Sequence, residues 1–519
     1  MLLNKCKILD CTLRDGGYYT DWNFSSSFFD NYLKTAKSLP ISILEIGYIS
    51  DAKDSLSSFY HLNNKTIKYA KSKVRKDQKI FAMINFKELR NSKHLQKLLV
   101  NKIKYLDGIR FAVAPKNIID FRKLIFPLKN KYQKLSFNLN LMYLSDWIEN
   151  DNLVEKIFKN LPKNIETLAF VDSFGALEPN QIKKFLEKIN NKYSNLYNYG
   201  CHFHNNCGLA LANSIVAKNN NCSTIDATFS GMGRGAGNAE TELILATDIT
   251  KQKQIKGFHL NNFLEELKKL KNKLNWGSSF AYAFAAKNGY SQSEMMDLIQ
   301  KRRLDPSTAI EVISNNKKKN KIKFKNLNNL NNLLKFKKLN KKTPILIGGA
   351  KSFAQHGELL LKSISKHSPI FFSGSSSLNN FLDLKLKIKN PKYLILTGNE
   401  IKKIKQKKIS NKFYTREFKG IIAEQNFFPI SLKKKLKNIV YSNTVAENPL
   451  MLIGKLFLKI RIKKLHIAFF DGNIENEKDK ILFNETQNSI SALLKQKLDI
   501  STITKSAFSL TYVNPWIND

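Results

Sequence analysis

Two of the eight histidines in this 519-residue chain stand one residue apart, in Gly200-Cys201-His202-Phe203-His204-Asn205-Asn206. If that run is a strand, side chains alternate faces, so His202 and His204 point one way and Phe203 the other. Two imidazoles on one side can grip a single metal ion, although a hydrogen-bonded pair of core histidines fits an isolated His-x-His equally well. A second polar cluster, Asp10-Cys11-Thr12-Leu13-Arg14-Asp15-Gly16-Gly17, offers carboxylates and a guanidinium close to the N-terminus. A third, Ser230-Gly231-Met232-Gly233-Arg234-Gly235-Ala236-Gly237-Asn238-Ala239-Glu240, is rich in glycine. Such a loop is either a tight turn or a place where backbone amides meet a carboxylate or phosphate.

These clusters need elements to position them. Short apolar runs alternate with amphipathic, lysine-rich stretches, and eight of them read as strands: 7–10, 42–47, 80–84, 108–112, 137–142, 167–171, 199–203 and 224–228. Helical patterns fall between them, among them 155–160 and 179–192, the latter opening on Pro179 in a first helical turn. Eight strand–helix units in about 250 residues predict a closed parallel TIM (β/α)8 barrel, with a doubly wound open sheet as the structural competitor. Active sites of such barrels lie where strands end and loops begin. Asp10, Glu45, Asp172, His202 and His204 all fall at or near predicted strand ends. Asp10, Glu45 and Asp172 either orient a ligand or substrate or satisfy buried loop amides.

Composition bounds the rest. Lys plus Arg is 86 against 42 for Asp plus Glu, a formal net charge of +44. The excess is mostly lysine scattered among asparagine and isoleucine, without an Arg-rich helix, zinc-finger spacing or RNP-like aromatic motif, so no nucleic-acid partner is expected. Anionic small substrates would still be drawn to such a field. The five cysteines, Cys6, Cys11, Cys201, Cys207 and Cys222, lack Cys-x-x-Cys spacing and suggest reduced thiols in a cytoplasmic protein. Cys201 and Cys207 flank the histidines without a base arrangement and read as core thiols. The N-terminus lacks the apolar core of a signal peptide, and no run is long enough to cross a bilayer, so no membrane partner is expected.

Taken together, the Asp10 to Gly16 run, the His202/His204 pair and the Gly237-Asn238 element resemble the DRE-TIM metallolyases. That superfamily holds 4-hydroxy-2-oxoacid aldolases, hydroxymethylglutaryl-CoA lyase and isopropylmalate synthase. The resemblance covers roughly residues 5–250. It implies a divalent ion, Mn2+ or Mg2+, bound by Asp15, His202 and His204, with Asn238 matching a further ligand of some branches and Arg14 acting on an enolate. The bare chemistry agrees: one carboxylate and two imidazoles leave positions open on a hard cation for the carboxylate and keto oxygen of a 2-oxoacid. Arg14, beside Asp15, would add a fixed positive charge there, unless the pair is only a salt bridge at the barrel mouth. The expected activity is therefore a metal-dependent carbon–carbon lyase acting on a small 2-oxoacid and an aldehyde, similar to 4-hydroxy-2-oxovalerate aldolase. The alternatives are a Claisen-type acyl-CoA condensing enzyme and a non-catalytic barrel scaffold in surface-glycan biosynthesis. One departure stands out. Isopropylmalate synthase-like members follow Arg-Asp-Gly with Glu-Gln, and the aldolases carry a catalytic histidine where this chain has Tyr18. Tyr18 or Tyr19 is the expected acid or base, unless both merely line the pocket.

The domain reading is a barrel over 1–255, post-barrel helices over 256–315, a Lys/Asn-rich linker over 316–342 and a Rossmann-like domain over 343–519. In the last, strands near 344–348, 369–373, 393–397, 438–442 and 465–470 run into Gly or Ser. This segment faintly resembles the Rossmann-like domains that accompany bacterial surface-glycan and flagellin-modification enzymes. A nucleotide-sugar or phosphate site near Gly348, Gly349, Lys351 and Ser352 is one expectation, and a structural or homodimer-forming role is the other.

Overall fold

The computed structural model describes residues 6–51, 58–247, 257–301, 306–317, 342–400, 418–424, 439–442, 448–475 and 477–515, apart from single positions or short gaps at 101, 103, 129–131, 133, 195 and 399, and it also describes residue 304. The chain divides into two compact units, Met1–Met296 and Asp297–Asp519. Most of the expected 316–342 linker lies outside the described residues. Among those described, no helix is long and apolar enough to cross a membrane.

The first unit is a closed barrel of eight parallel strands in sequence order: β1 (Lys7–Asp10), β2 (Ile43–Tyr48), β3 (Lys79–Asn85), β4 (Gly108–Val113), β5 (Ser136–Leu141), β6 (Thr167–Asp172), β7 (Asn198–Phe203) and β8 (Thr224–Ala227). All eight match the predicted strands to within a few residues. β1 pairs with β8 through Leu9↔Asp226 and Asp10↔Ala227, which removes every sheet edge. Outward-facing side chains pack against the surrounding helices: Phe170 of β6, for example, stands edge-on to Phe185 of the helix Pro179–Tyr193. That helix has Pro179 in its first turn and a reciprocal capping box between Glu178 and Gln181. The lower interior is apolar, where Leu9, Cys11, Ile43 and Phe81 cluster. Above them the inward positions become charged. Three further helices, Gly257–Leu274, Phe280–Lys287 and Gln292–Met296, belong to the same unit.

Two loops carry the polar motifs. After β1 the chain makes a short helix, Thr12–Asp15, whose first amide donates to Asp10 Oδ1. The Trp22 indole donates to the Arg14 carbonyl at 2.7 Å, and a Cβ on Gly17 would fall 2.1 Å from that indole. After β8 the glycine-rich loop folds back until His204 and Asn238 form an isolated antiparallel bridge. That return needs Gly237, whose φ is +94° and whose Cβ would lie 1.8 Å from the Gly231 carbonyl oxygen.

The second unit contains an eight-stranded, all-parallel sheet in the order β13-β12-β11-β10-β9-β14-β15-β16. Its strands are β9 (Ile345–Ile347), β10 (Ile370–Ser373), β11 (Lys392–Leu396), β12 (Gly420–Glu424), β13 (Ile439–Ser442), β14 (Lys464–Ala468), β15 (Asp499–Thr502) and β16 (Thr511–Tyr512). One core joins Leu346, Phe371, Ile395 and Ile467 of the sheet to Ile453 and Phe457 of the helix Pro449–Lys459 and to Leu493 of Glu477–Lys495. Strands β12, β15 and β16 were not among those expected. Each is short, and β15 and β16 are too polar to stand out as apolar runs. The order reverses between β9 and β14, which makes their C-terminal ends the switch point of the sheet.

Gly237→Ala should lower the unfolding free energy by about 2 kcal/mol or more. Urea denaturation followed by circular dichroism measures it, and wild-type stability in this variant would show that the loop has another way to close.

Candidate metal centre

The site grows from the inward-facing residues at the C-terminal ends of the strands. Asp15, on the short helix after β1, is 1% exposed. Its Oδ1 accepts from Arg14 Nη1 at 2.7 Å, and its Oδ2 accepts from Asn238 Nδ2 at 2.5 Å and lies 3.4 Å from His202 Nε2. His202 and His204 stand nearly perpendicular with ring centroids 4.9 Å apart, His202 on β7 and His204 just beyond it. The structure therefore brings Arg14, Asp15, His202, His204 and Asn238 into one neighbourhood.

The imidazole orientations follow from their other nitrogens. Nδ1 of His204 faces the Asp172 backbone carbonyl at 2.9 Å, and a carbonyl only accepts, so Nδ1 carries the proton. Nδ1 of His202 faces Asp226 Oδ2 at 3.0 Å and donates to it in the same way. Each ring thus keeps Nε2 as a lone-pair donor, the form that binds a metal.

Asp226, on β8, was missed by sequence reading, and so was Arg110 on β4. Arg110 Nη2 donates to Asp226 Oδ2 at 2.6 Å and Nη1 approaches Glu45 Oε2 at 3.4 Å; Glu45 Oε2 also accepts from Arg14 Nε at 2.8 Å. A signal for both was present: each is the one charged residue of a buried, otherwise uncharged strand.

The electrostatics follow from burial and pairing. Burial pushes the Asp15 carboxyl up, but Arg14 and His202 outweigh it and hold it well below the usual carboxylate range. Burial also raises Asp226, and Arg110 and His202 reverse this to a net lowering. Burial lowers His202, whereas its contacts with Asp15 and Asp226 bring it above the ordinary histidine value. His204 is driven well below that value by burial, then by Arg234 and His202.

Several buried atoms in this network have no hydrogen-bond partner among the described residues: His202 Nε2, Asn238 Oδ1, Arg14 Nη2, Glu45 Oε1 and Asp226 Oδ1. Unpaired polar atoms are costly inside a protein, and here they include an imidazole lone pair and an amide oxygen next to a carboxylate. The donor set of Asp15, His202, His204 and Asn238 fits a divalent cation of intermediate hardness. Among the described residues, the His, Cys and carboxylate atoms that lie within 4.8 Å of one another are those of Cys11, Asp15 and His202, a grouping that does not extend to His204. The Cys11 thiol donates to the Ala227 carbonyl at 3.4 Å and burial pushes its proton affinity up, which favours the protonated form over a thiolate ligand.

The remaining expected residues fall as follows. Asp10 accepts from the Thr12 amide and from the Tyr32 and Thr241 hydroxyls, and so fastens the end of β1. The Asp172 carboxylate accepts from the amides of Gly175, Ala176 and Leu177; burial raises its pKa to about 6 despite them. Tyr19 donates to the Gly235 carbonyl at 2.6 Å, and burial pushes its phenol up. Tyr18 is half-buried, edge-on to Trp22 and 5.7 Å beneath the Arg234 guanidinium. Cys201 is buried, with Sγ 3.6 Å from that of Cys222. A groove of about 870 Å3 opens beyond the ends of β3 to β6, floored by Met142, Trp147 and Phe174 and bordered by Lys87, Lys116 and Lys156.

In the second unit, Gly348 and Gly349 follow β9 at the switch point. Lys351 pairs with Glu475 at 2.9 Å, and Asp471 accepts from both the amide and the hydroxyl of Ser352. The first turn of the helix Lys351–Ser363 thus already faces a carboxylate where a phosphate was expected.

Comparisons with known proteins agree with this geometry. The HMGL-like family model matches residues 113–272. The 4-hydroxy-2-oxovalerate aldolase 2 of Salinispora arenicola is 24% identical over 246 residues, 47% of this chain and 68% of its own length. Oxaloacetate decarboxylase of Mycobacterium tuberculosis is 23% identical over 248 residues, 46% and 68% of the two chains. Among solved structures, the N-terminal domain of a Bacteroides vulgatus protein described as an aldolase is 34% identical, with a TM-score of 0.52, covering 56% of this chain and 96% of that domain.

Asp226→Asn should weaken Mn2+ binding by about 10–100-fold, because the carboxylate that orients His202 is lost. Isothermal titration with Mn2+ measures this, and unchanged affinity would mean that His202 is not a ligand. With the barrel, its donor set and these relatives in agreement, the chain belongs to the HMGL-like family, the DRE-TIM superfamily of metal-dependent lyases and aldolases.

Proposed function

We propose that the protein makes or breaks a carbon–carbon bond next to the enolate of a pyruvate-like 2-oxoacid, as an aldolase similar to the 4-hydroxy-2-oxovalerate aldolases. The observation that carries this reading is the set of unpaired buried atoms around Asp15: His202 Nε2, Asn238 Oδ1 and Arg14 Nη2. A divalent cation, Mn2+ or Mg2+, held by Asp15, His202, His204 and Asn238 would supply the positive charge that stabilises an enolate.

The chain's own residues supply the rest. Arg14 is fixed by two carboxylates through Nη1 and Nε, which leaves Nη2 to donate to the substrate's developing oxyanion. Because its guanidinium is already oriented, little reorganisation accompanies the reaction. Asp226 holds the His202 proton on Nδ1, and the Asp172 carbonyl does the same for His204. The proton of the partner's hydroxyl falls to Tyr18. Tyr19 is the weaker candidate, since its hydroxyl is committed to the Gly235 carbonyl. The complete donor set argues against a barrel retained for binding alone.

A Claisen condensation with an acyl-CoA is the second reading, favoured by the size of the groove and its three lysines. Release of free thiol from acetyl-CoA in the presence of a 2-oxoacid would select it over the aldol reaction.

Enolisation needs no second substrate. The wild-type protein with Mn2+ or Mg2+ should exchange the methyl protons of pyruvate for deuterium, as read by proton NMR. Asp15→Asn and His202→Ala should each lower the rate by at least about 100-fold. Exchange that persists in both variants would sink the assignment of the centre.

A further inference from the structure

Arg234 differs from the other two arginines of the barrel mouth. Arg14 and Arg110 are each held by two carboxylates. Arg234 meets none among the described residues. Its Nη2 donates to the Ser173 backbone carbonyl at 3.3 Å, its guanidinium carbon lies 5.7 Å from the centre of the Tyr18 ring, and its Nε is buried with no partner among the described residues. A half-buried guanidinium without a counter-charge is unfavourable, and an anionic ligand would relieve the cost.

The loop that presents Arg234 is pinned on both sides. The Ala236 amide donates to Asn206 Oδ1 at 2.8 Å, the Asn205 amide donates to the Gly237 carbonyl at 2.7 Å, and Tyr19 holds the Gly235 carbonyl. The Ser173 carbonyl that Arg234 meets adjoins the Asp172 carbonyl that accepts from His204 Nδ1, so the guanidinium stands on the His204 side of the centre. Arg14 approaches the same centre from Asp15. The site therefore carries two fixed cations: one beside the carboxylate ligand, the other over Tyr18. Phe174, next to Ser173, floors the lysine-bordered groove, whose field also favours anions. Arg14 is already assigned to the enolate, which leaves Arg234 for another group.

We propose that Arg234 is a specificity-determining residue that binds an anionic group, carboxylate or phosphate, on the aldehyde that joins or leaves the 2-oxoacid enolate. This rests on the aldolase reading above. In the condensing direction the 2-oxoacid methyl carbon loses one proton and bonds to the aldehyde carbon, and the aldehyde oxygen gains one proton. No oxidant or reductant is needed.

The test compares matched aldehydes with pyruvate and Mn2+: succinic semialdehyde against butanal, and glyceraldehyde 3-phosphate against glyceraldehyde. At least one charged member should exceed its neutral counterpart in kcat/KM by about 10–100-fold, the range of a charge-assisted hydrogen bond. Which pair shows the larger ratio tells carboxylate from phosphate. Arg234→Gln should bring that ratio to within about threefold, mainly through KM for the charged member, and Arg234→Lys should restore part of it. Equal kcat/KM within both pairs for the wild-type protein, or an undiminished ratio in Arg234→Gln, overturns the assignment. Pyruvate deuterium exchange by the wild-type protein separates the two levels. Its absence overturns the aldolase reading and this proposal together, whereas exchange without a preference for charged aldehydes overturns the role of Arg234 alone.

Discussion

Six buried side chains form a circuit around the centre of the barrel, running Asp15, Arg14, Glu45, Arg110, Asp226 and His202, whose unprotonated Nε2 comes back to within 3.4 Å of Asp15. Removing so many charges from water costs several kcal/mol for each ion, and the circuit offsets this by giving every charged group two polar partners, Asn238 being the second for Asp15. With neutral histidine, three carboxylates against two guanidiniums leave one negative charge uncompensated. A divalent cation held by Asp15, as proposed above, would supply positive charge where it is lacking. The network that balances these buried charges is thus also the one that orients the imidazole of His202.

The surrounding architecture serves that circuit. Glu45, Arg110, His202 and Asp226 come from four different strands, so their meeting depends on closure of the sheet. β1 must lie against β8 for the Asp15 helix to reach the glycine-rich loop, and the Asn238 to Asp15 bond spans 223 residues of sequence. The Asp10 carboxylate holds the loop that carries Asp15, and Asp172 holds the loop after β6 with its carboxylate while its backbone carbonyl accepts from His204. The second unit has a parallel sheet of its own, and carboxylates cap the helices at its centre. Asp471 meets the helix Lys351–Ser363 and Glu400 meets Ser375 at the start of Ser375–Asp383. These carboxylates neutralise the helix ends that would otherwise attract anions.

Sequence alone determined a great deal here. The alternation of apolar runs gave eight barrel strands, because burial on one face leaves a local pattern. The His202/His204 parity followed from strand geometry, and the pairing of a guanidinium with a carboxylate was visible in Arg14 and Asp15 as neighbours. Short edge strands such as β16, Thr511–Tyr512, left too few residues for any periodicity to register.

What only the tertiary structure decided is which inward-facing groups meet. Arg110 and Asp226 lie 116 residues apart, and their contact depends on the tilt and stagger of strands on opposite sides of the barrel. The tautomers of both histidines were set in the same way, by an acceptor from β8 for one and from β6 for the other. Side-chain direction is a local property of a strand and can be read from its sequence. A charge partner across a closed sheet is a property of the whole barrel.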